Sequence, residues 1–336
     1  FIAPHPPFDV PDQWADLYKG KELPPLKVST TPLSALAEEN KNIADYPTEA
    51  YLRRARELYF ASISFVDYNI GKILQQLEDM GEYDNTLIIF TSDHGEMLGD
   101  YGTYQKFLPY DSSARVPLIV RYPEVFKGGE VDRRFVDLND ILPTVLDAAG
   151  VAYPNPAILP GESVLKKSGF KDRTKQYVEH AHGSRRWASI RNGQYKYTYY
   201  YGGGKEELFD MINDPDETTN LLAAHETCEG LRQSFPSESV SAVREEFHAA
   251  LVEQEKRYGL EGYVKNDELV VLDEMQPFFY RENNPPIFPK EQDEDFVSLE
   301  EEVARAIAKE EVVKLSELDV PYFTKSGTLS EEKLKK

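Results

Sequence analysis

The chain has 336 residues, and its 59 acidic residues outnumber its 38 lysines and arginines, which gives a formal net charge of −21. This acidity argues against a nucleic-acid partner, because phosphate contacts need a basic face. The single cysteine, Cys228, excludes an internal disulfide and a zinc site built on several thiolates. No stretch approaches the ~20 apolar residues of a membrane span.

The first half of the chain alternates predicted helices and strands. Its elements are an irregular segment 1–47, a helix 48–80 ending at Gly81, a strand 86–91, a loop from Ser92 to about Ser113, a strand 116–120 and a helix 139–149. The helices show apolar residues at three- and four-residue intervals, and both strands are continuous apolar runs, typical of strands buried on both faces. This order favours an α/β fold, a sheet covered by helices.

After about residue 170 the pattern changes to short strands with turn signals. The predicted elements are strands 177–180, 187–191, 194–201 and 207–210, a helix 240–258, a proline-rich arm 277–289 and a final helix with a capping box at Ser298. Asn192-Gly193 is expected to form a two-residue hairpin turn. We therefore predict three domains: a helix-covered sheet over 1–165, a small antiparallel-sheet subdomain over 166–225, and a helical and proline-rich extension over 226–336.

The segment most informative about chemistry follows the first predicted strand. Asp93 and His94 come directly after it, where loops at strand ends form ligand sites in open α/β sheets. A hard cation binds carboxylate oxygens, and a neutral imidazole supplies a further ligand. Gly95 allows the chain to turn so that both side chains face one point. A turn aspartate followed by a surface histidine is the alternative interpretation.

Two further residues are candidates on similar grounds. Lys106 lies between aromatic residues and is suited to hold an anion, although an ordinary surface lysine would look the same. His5 lies among prolines that would hold its imidazole rigidly, as a proton donor requires. A loop histidine without catalytic role is the alternative for His5.

Together these segments resemble one family, the formylglycine-dependent sulfatases of the alkaline phosphatase-like superfamily. Its second metal-binding segment is similar to residues 85–100, NTLIIFTSDHGEMLGD, continuing to Lys106 and to residues 113–120, SARVPLIV. Four more stretches are similar to the same family: PHPPF at 4–8, YFASISFVD at 59–67, DILPT at 140–144, and ELFD…NDPDE…NL between 207 and 221. The resemblance covers about residues 1–225 and implies the second half of a mixed sheet covered by helices.

The resemblance also implies roles for individual residues. Asp93 and His94 match the family's metal-binding pair, whose ion is usually calcium. Lys106 matches the lysine that holds a sulfate oxygen, and His5 the histidine that helps protonate the leaving group. His182 and Arg185, at the start of the small sheet, are candidates to line the substrate entrance with local positive charge. Solvated surface residues are the alternative for these two.

The sequence lacks three elements of the family pattern. The Cys- or Ser-x-Pro-x-Arg motif, whose first residue becomes formylglycine, does not occur in the 336 residues. The family's first-strand Asp-Asp pair and its Lys-x-His segment are also absent. Because these elements precede the PHPPF stretch in the family, we expect this chain to be a carboxyl-terminal portion with the nucleophile upstream. By itself it is expected to be inactive.

The implied activity is sulfuric ester hydrolysis. A phosphonate monoester or phosphodiester hydrolase of the same superfamily and a non-catalytic, sulfatase-like binding protein are the alternatives. Family substrates include sulfated sugars, sterols, phenols and choline, and family members act in the periplasm, the extracellular space or the lysosome. The extension after residue 226 is interpreted either as an arm for homo-oligomer formation or as a tail packed on its own domain.

Overall fold

The computed structural model describes residues 1–41, 49–153, 155, 159–166, 173–227 and 237–275. They form two compact units, one containing 1–24 and 49–70, the other containing 25–41 and the described residues from 71 to 275. Cys228, the predicted proline-rich arm and the capping box at Ser298 lie outside the described residues. The predicted domain boundaries at 165 and 225 stay predictions. Within the described part, no helix has both the length and the apolar character needed to cross a membrane.

The described elements follow the predicted order closely. The helices are α1 (Asp12–Ala15), α2 (Ala35–Asn40), α3 (Glu49–Asp79), α4 (Asp111–Ala114), α5 (Ile141–Ala148), α6 (Leu221–Thr227) and α7 (Ser237–Tyr258). The strands are β1 (Ile88–Thr91), β2 (Leu118–Arg121), β3 (Gln176–His180), β4 (Trp187–Arg191), β5 (Tyr195–Tyr200), β6 (Lys205–Asp210), β7 (Val264–Lys265) and β8 (Glu268–Leu269).

The first unit packs the N-terminal segment against the first part of α3. The Phe8 ring meets Tyr59 edge-on at 5.6 Å, and the Trp14 ring lies 5.8 Å from Phe65. The buried carboxylate of Glu57 accepts a hydrogen bond from the Gly20 amide at 2.9 Å. These contacts give the segment a fixed course over the helix.

The prediction that residues 1–47 are irregular throughout is wrong at α1 and α2. In α2 the Ser34 side chain accepts a hydrogen bond from the Ala37 amide at 3.2 Å, and this cap satisfies one of the unpaired donors at the helix start. Leu36 and Ala37 are buried on one side of the helix. A serine before an alanine- and leucine-rich turn is a helix signal that the proline-rich surroundings obscured.

The strands β1 and β2 pair with each other in antiparallel register, with Ile89 opposite Val120 and Phe90 opposite Ile119. Ile89 and Val120 lie against the first turn of α5. On the other face, Phe90 is 39% exposed and Ile119 is 62% exposed. The prediction that both strands are buried on both faces is therefore wrong for the described residues, because continuous apolar runs do not specify how many covering layers are present.

The strands β3 to β6 form one antiparallel sheet in chain order, as predicted. Because side chains alternate between faces along a strand, the sheet divides its residues between two cores. One face, with Ile190, Tyr197 and Leu208, packs on Phe247 and Leu251 of α7. The opposite face contributes Trp187, Tyr200 and Phe209 to a second core that also contains α2 and the loop after β1. The sheet thus lies between α7 and that loop.

The hairpin between β4 and β5 turns one residue later than predicted. The Asn192 amide donates to the Tyr195 carbonyl at 2.9 Å, so Gly193 and Gln194 are the central residues. The Asn192 side-chain oxygen accepts from the amides of Gln194 and Tyr195 at 2.8 and 2.7 Å. Asn192 therefore closes the turn through its side chain, an arrangement typical of asparagine.

A buried carboxyl group on the loop-facing side of the sheet makes stability depend on pH. Glu207 accepts hydrogen bonds from the hydroxyls of Tyr110 and Tyr200 at 3.1 and 2.7 Å. Burial raises the pKa of Glu207 to about 7, against the lowering effect of the two tyrosines. The folded state therefore holds a proton that the unfolded state releases above its ordinary pKa of about 4.3.

This contribution to stability is complete below about pH 4 and is lost as pH rises to about 7. We expect Glu207→Gln, which remains neutral, to gain stability relative to the unsubstituted protein between pH 5 and pH 8, by on the order of 2 kcal/mol. Melting temperatures of both proteins across this range measure the difference. A constant difference between the two curves would contradict titration of Glu207 in this window.

Candidate active site

Asp93 and His94 come directly after β1 and Ser92. The His94 amide donates to one Asp93 oxygen at 3.0 Å, and the His94 Nε2 atom lies 3.4 Å from the other. Ser92 holds the turn by donating its hydroxyl to the His94 carbonyl at 2.7 Å. The carboxylate and the imidazole therefore face each other.

The tautomer of His94 follows from its other ring nitrogen. Nδ1 lies 2.8 Å from the Gly95 carbonyl oxygen. Because a carbonyl only accepts, Nδ1 is the donor, and in the neutral ring Nε2 presents a lone pair toward Asp93. Metal-binding histidines use this arrangement, in which a backbone carbonyl orients the ring.

The acidity of Asp93 agrees with a cation site. Slight burial would raise the pKa of Asp93, but the charge of His94 and the hydrogen bonds from its amide and from Ser92 outweigh burial and lower it. An ionised carboxylate is a suitable ligand for a hard divalent ion, and an imidazole can supply a further ligand once it has lost its proton. Among the described residues no cluster of three or more histidine, cysteine or acidic side chains is arranged to hold a metal, so this pair would supply only part of a coordination shell.

Gly95 sets the direction of the chain after the pair. Its amide donates to the Ser113 carbonyl at 2.7 Å. A Cβ atom at this position would lie 2.1 Å from the Ser112 carbonyl oxygen. The two ends of the loop from Ser92 to Ser113 therefore meet at a point where only glycine fits.

Lys106 returns to the site along a tight hairpin within this loop. The Met97 amide donates to the Gln105 carbonyl at 2.7 Å, and Gln105 and Phe107 both have positive φ, at 64° and 80°. Asn40 of α2 fixes the turn by donating its side-chain amide to the Lys106 carbonyl at 2.8 Å.

The electrostatic surroundings of Lys106 include the Asp93 carboxylate. Partial burial lowers the pKa of Lys106, while the charges of Glu96 and Asp93 oppose that effect. Burial also raises the pKa of Glu96. The lysine therefore lies within the electrostatic range of Asp93, as a group that binds an anion beside a metal ion must.

The next residue, Phe107, joins the loop to the four-stranded sheet. Its carbonyl accepts a hydrogen bond from the Trp187 indole at 2.8 Å, and its ring lies 5.3 Å from His180 at the end of β3. Burial, together with the charge of Arg185, lowers the pKa of His180. His180 is thus neutral near pH 7 and packs as a partly buried aromatic ring.

The far end of the loop is also attached to the sheet. Lys196 of β5 bridges Asp111 at 2.9 Å and Glu217 at 2.6 Å. Glu217 in turn accepts a hydrogen bond from the Asp111 amide at 2.6 Å. Fixed at Phe107 and at Asp111, the part of the loop that carries Lys106 has a defined path.

The predicted site residues fall into three places. Asp93 and His94 are adjacent after β1, and Lys106, in the same unit, is near enough to Asp93 for the charge of that carboxylate to affect its pKa. Arg185, in the connection between β3 and β4, forms a two-pronged ion pair with Glu39 of α2, whereas the neighbouring His182 is exposed.

His5 lies in the first unit, half-buried. Its Nδ1 atom is 2.7 Å from the Pro6 carbonyl and therefore donates to it. The ring is thus oriented by the carbonyl of the following proline.

Sequence analysis missed Glu39 and Asn40, because their partners are 146 and 66 positions away in the chain. The serine cap of α2 was the one local signal, and it locates the helix without revealing which side chains its end presents.

Two family models match the chain. The model named Sulfatase matches residues 1–151, and the model of the C-terminal region of N-sulphoglucosamine sulphohydrolase matches residues 99–241. Together they cover Asp93 and His94, the loop to Lys106 and the four-stranded sheet.

Curated relatives agree with these matches. An arylsulfatase of Clostridium perfringens is 32% identical over 240 residues, which are 67% of this chain and 49% of the relative. An N-acetylglucosamine-6-O-sulfatase of Bacteroides thetaiotaomicron is 33% identical, over 56% of this chain and 35% of the relative. A choline-sulfatase of Rhizobium meliloti is 33% identical, over 66% and 45%. The chain spans half or less of the length of these relatives.

Solved structures show the same fold. A phosphonate monoester hydrolase of Agrobacterium radiobacter aligns with a TM-score of 0.64 and 26% identity, over 79% of this chain and 57% of that protein. A protein solved in complex with its substrate D-glucosamine-2-N,6-O-disulfate aligns with a TM-score of 0.52 and 29% identity, over 64% and 44%. With its two family models and its sulfatase relatives, the chain belongs to the sulfatase family and has the α/β alkaline phosphatase-like fold.

Proposed function

We propose that this chain is part of a sulfuric ester hydrolase that uses a divalent metal ion. The observation that carries the proposal is the orientation of His94. Its Nδ1 atom donates a hydrogen bond to the Gly95 carbonyl, and its Nε2 atom faces the Asp93 carboxylate at 3.4 Å. The charge of Asp93 also acts on Lys106. Two acceptors that face each other at this distance fit a shared divalent cation; the carboxylate suits a hard ion such as calcium, and the imidazole would be a further ligand.

Each predicted site residue has a role in this proposal. Asp93 and His94 would hold the calcium ion, which supplies positive charge next to the ester. Lys106 binds a sulfate oxygen and neutralises charge that develops on it. His5 donates a proton to the departing oxygen. His182 and Arg185 contact the organic part of the substrate.

The nucleophile belongs to a part of the enzyme outside these 336 residues. The family motif for formylglycine is absent from the sequence, and the chain spans about half the length of its relatives. A formylglycine side chain would supply the attacking oxygen. The described residues then bind and orient the ester and move a proton.

A sulfated carbohydrate is the substrate class that we propose. A relative is named for N-acetylglucosamine-6-O-sulfate hydrolysis, and a structural neighbour was solved with a sulfated glucosamine as its substrate. The acidic net charge of −21 would repel an anion at long range, so binding must depend on local cations such as Lys106.

Phosphonate monoester hydrolysis is a second candidate, because a phosphonate monoester hydrolase is among the structural neighbours. Both esters carry one negative charge, whereas a phosphate monoester carries nearly two. The number of cationic side chains in the complete pocket would therefore indicate whether the enzyme prefers esters with one negative charge or phosphate monoesters. The choice between sulfate and phosphonate esters must be made by direct assay.

The test uses the protein expressed from its complete gene, with p-nitrophenyl sulfate and a p-nitrophenyl phosphonate monoester as substrates. We expect sulfate hydrolysis to be faster, to stop on chelation of calcium and to return when calcium is added back. Lys106→Gln should lower kcat/KM for the sulfate about 10- to 100-fold, since it removes a charged hydrogen bond to the ester. The exposed Lys127 offers a matched control, and Lys127→Gln should leave kcat/KM unchanged.

Three results would contradict the proposal. Faster phosphonate hydrolysis would favour the second candidate. Equal effects of the two lysine substitutions would remove Lys106 from the site. No hydrolysis of either ester by a folded protein that still binds sulfated sugars would favour a non-catalytic binding protein.

A further inference from the structure

The ion pair between Glu39 and Arg185, here called the Glu39–Arg185 clamp, has a geometry that fixes the guanidinium. The two terminal nitrogens of Arg185 donate to the two oxygens of Glu39 at 2.7 and 3.0 Å. The Glu39 side chain is only 4% exposed, whereas that of Arg185 is 40% exposed. A planar, two-pronged pair of this kind holds the guanidinium in one orientation.

The clamp lies next to the part of the loop that carries Lys106. Asn40, which follows Glu39 at the end of α2, donates to the Lys106 carbonyl at 2.8 Å. On the sheet side, His180 is close enough to Arg185 for its pKa to be lowered by the arginine, and its ring lies 5.3 Å from that of Phe107. Helix α2 and the end of β3 therefore place the clamp near the backbone of Lys106, the proposed sulfate-binding lysine.

The net charge of the Glu39–Arg185 clamp determines which substrate groups it can bind. Glu39 compensates the charge of Arg185, so a second anionic group of the substrate would meet a nearly neutral pair. The guanidinium has five N–H groups, of which the pair uses two, and the remainder are donors for uncharged oxygen atoms. Phe107, whose ring lies 5.3 Å from that of His180, is 38% exposed and presents an apolar ring. Neutral donors beside an aromatic surface suit a hydroxylated sugar ring.

We propose that the Glu39–Arg185 clamp binds hydroxyl groups of the substrate, so that the preferred substrate carries one sulfate on an otherwise uncharged, hydroxylated ring. The inference rests on the proposed sulfatase function. Glu39 acts as a positioning residue, because it orients Arg185 and cancels its charge, while Arg185 makes the contact. No bond is made or broken by either residue.

The experiment compares three substrates of the protein expressed from its complete gene. They are p-nitrophenyl sulfate, which has no sugar ring, N-acetylglucosamine 6-sulfate, which carries one negative charge, and glucosamine 2-N,6-O-disulfate. The unsubstituted protein should prefer the monosulfated sugar to the disulfated one. Glu39→Gln should lower kcat/KM for the monosulfated sugar about tenfold, mainly by raising KM, because Arg185 is no longer oriented.

The same substitution leaves Arg185 with an uncompensated charge, so the relative preference for the disulfated sugar should rise. Hydrolysis of p-nitrophenyl sulfate should not change, and this readout shows that the variant is folded. Arg185→Lys should resemble Glu39→Gln on the monosulfated sugar, since lysine cannot form the two-pronged pair. Glu38→Gln is the matched control, because the neighbouring Glu38 pairs with Lys41 at 2.8 Å instead and its loss should have no effect.

Other outcomes would overturn the inference. Equal losses on p-nitrophenyl sulfate and on the sugar would show that the clamp only supports the fold. A disulfated sugar preferred by the unsubstituted protein, or unchanged KM in Glu39→Gln, would exclude hydroxyl recognition by this pair while leaving the proposed function intact. If the unsubstituted protein hydrolysed none of the three sulfates, the proposed function would fail and the inference with it.

Discussion

Replacing Gly95 by alanine is expected to lower kcat/KM for sulfate ester hydrolysis by about 100-fold or more. The added Cβ would lie 2.1 Å from the Ser112 carbonyl oxygen, so the backbone must move by about 1 Å to relieve the clash. Asp93 and His94 directly precede Gly95, and a displacement of that size in positioned groups costs about 100-fold in rate. Stability should fall by only about 1–3 kcal/mol.

Steady-state kinetics at several calcium concentrations would measure this effect, since displaced ligands should also raise the calcium concentration needed for half-maximal activity. Gly71→Ala is the matched control. Gly71 lies within α3 and nothing lies within 4 Å of its added Cβ, so alanine there should stabilise the helix by up to about 1 kcal/mol without changing kcat/KM. A Gly95→Ala protein with normal kinetics would show that the metal pair tolerates movement of this turn.

Arg186→Met is expected to have the largest effect on stability, a loss of about 3–5 kcal/mol in the free energy of unfolding. The Arg186 side chain is 1% exposed and pairs with Glu255 of α7, which is fully buried, at 2.9 Å. Arg186 also contacts Glu179 and stacks on the ring of Tyr263. Removing the guanidinium leaves the Glu255 carboxylate buried without its compensating charge.

Urea unfolding followed by tryptophan fluorescence would measure the loss, with Trp187 as the neighbouring reporter. The double variant Arg186→Met with Glu255→Leu should recover most of it, since replacing both members of a buried ion pair is far less costly than replacing one. Glu253→Gln, which removes an exposed pair with Lys256, should cost less than about 1 kcal/mol. A small loss in Arg186→Met alone would mean that water reaches Glu255 in solution.

The sequence was sufficient to predict the elements that depend on local patterns. The helix α3, the four strands of the sheet and the position of Asp93 and His94 after β1 all follow from apolar spacing and turn signals. The burial of β1 and β2 was mispredicted, because one apolar run is compatible with one or two covered faces. The hairpin was displaced by one residue, because Asn192 bonds the turn with its side chain.

What the sequence could not show were pairings between distant residues. Nothing local distinguishes Glu39 from the exposed Glu38 beside it, and only the fold places Glu39 against Arg185. Likewise, the attachment of the loop at Phe107 and Asp111 depends on Trp187 and Lys196, which lie about 80 positions further along the chain. Residues with side chains suited to catalysis or ligand binding could be recognised in the sequence, whereas the residues that position them could not.

The two-faced sheet has a consequence for how such an enzyme can diversify. Its α7-facing side maintains stability, its loop-facing side holds the path of the Lys106 loop, and its β3–β4 connection carries Arg185. If the proposed roles hold, substitutions in that short connection can change which alcohol is accepted while Lys106 keeps its place. Selectivity and chemistry would then be carried by separable parts of one small scaffold, so new specificities could arise without rebuilding the proposed sulfate-binding site.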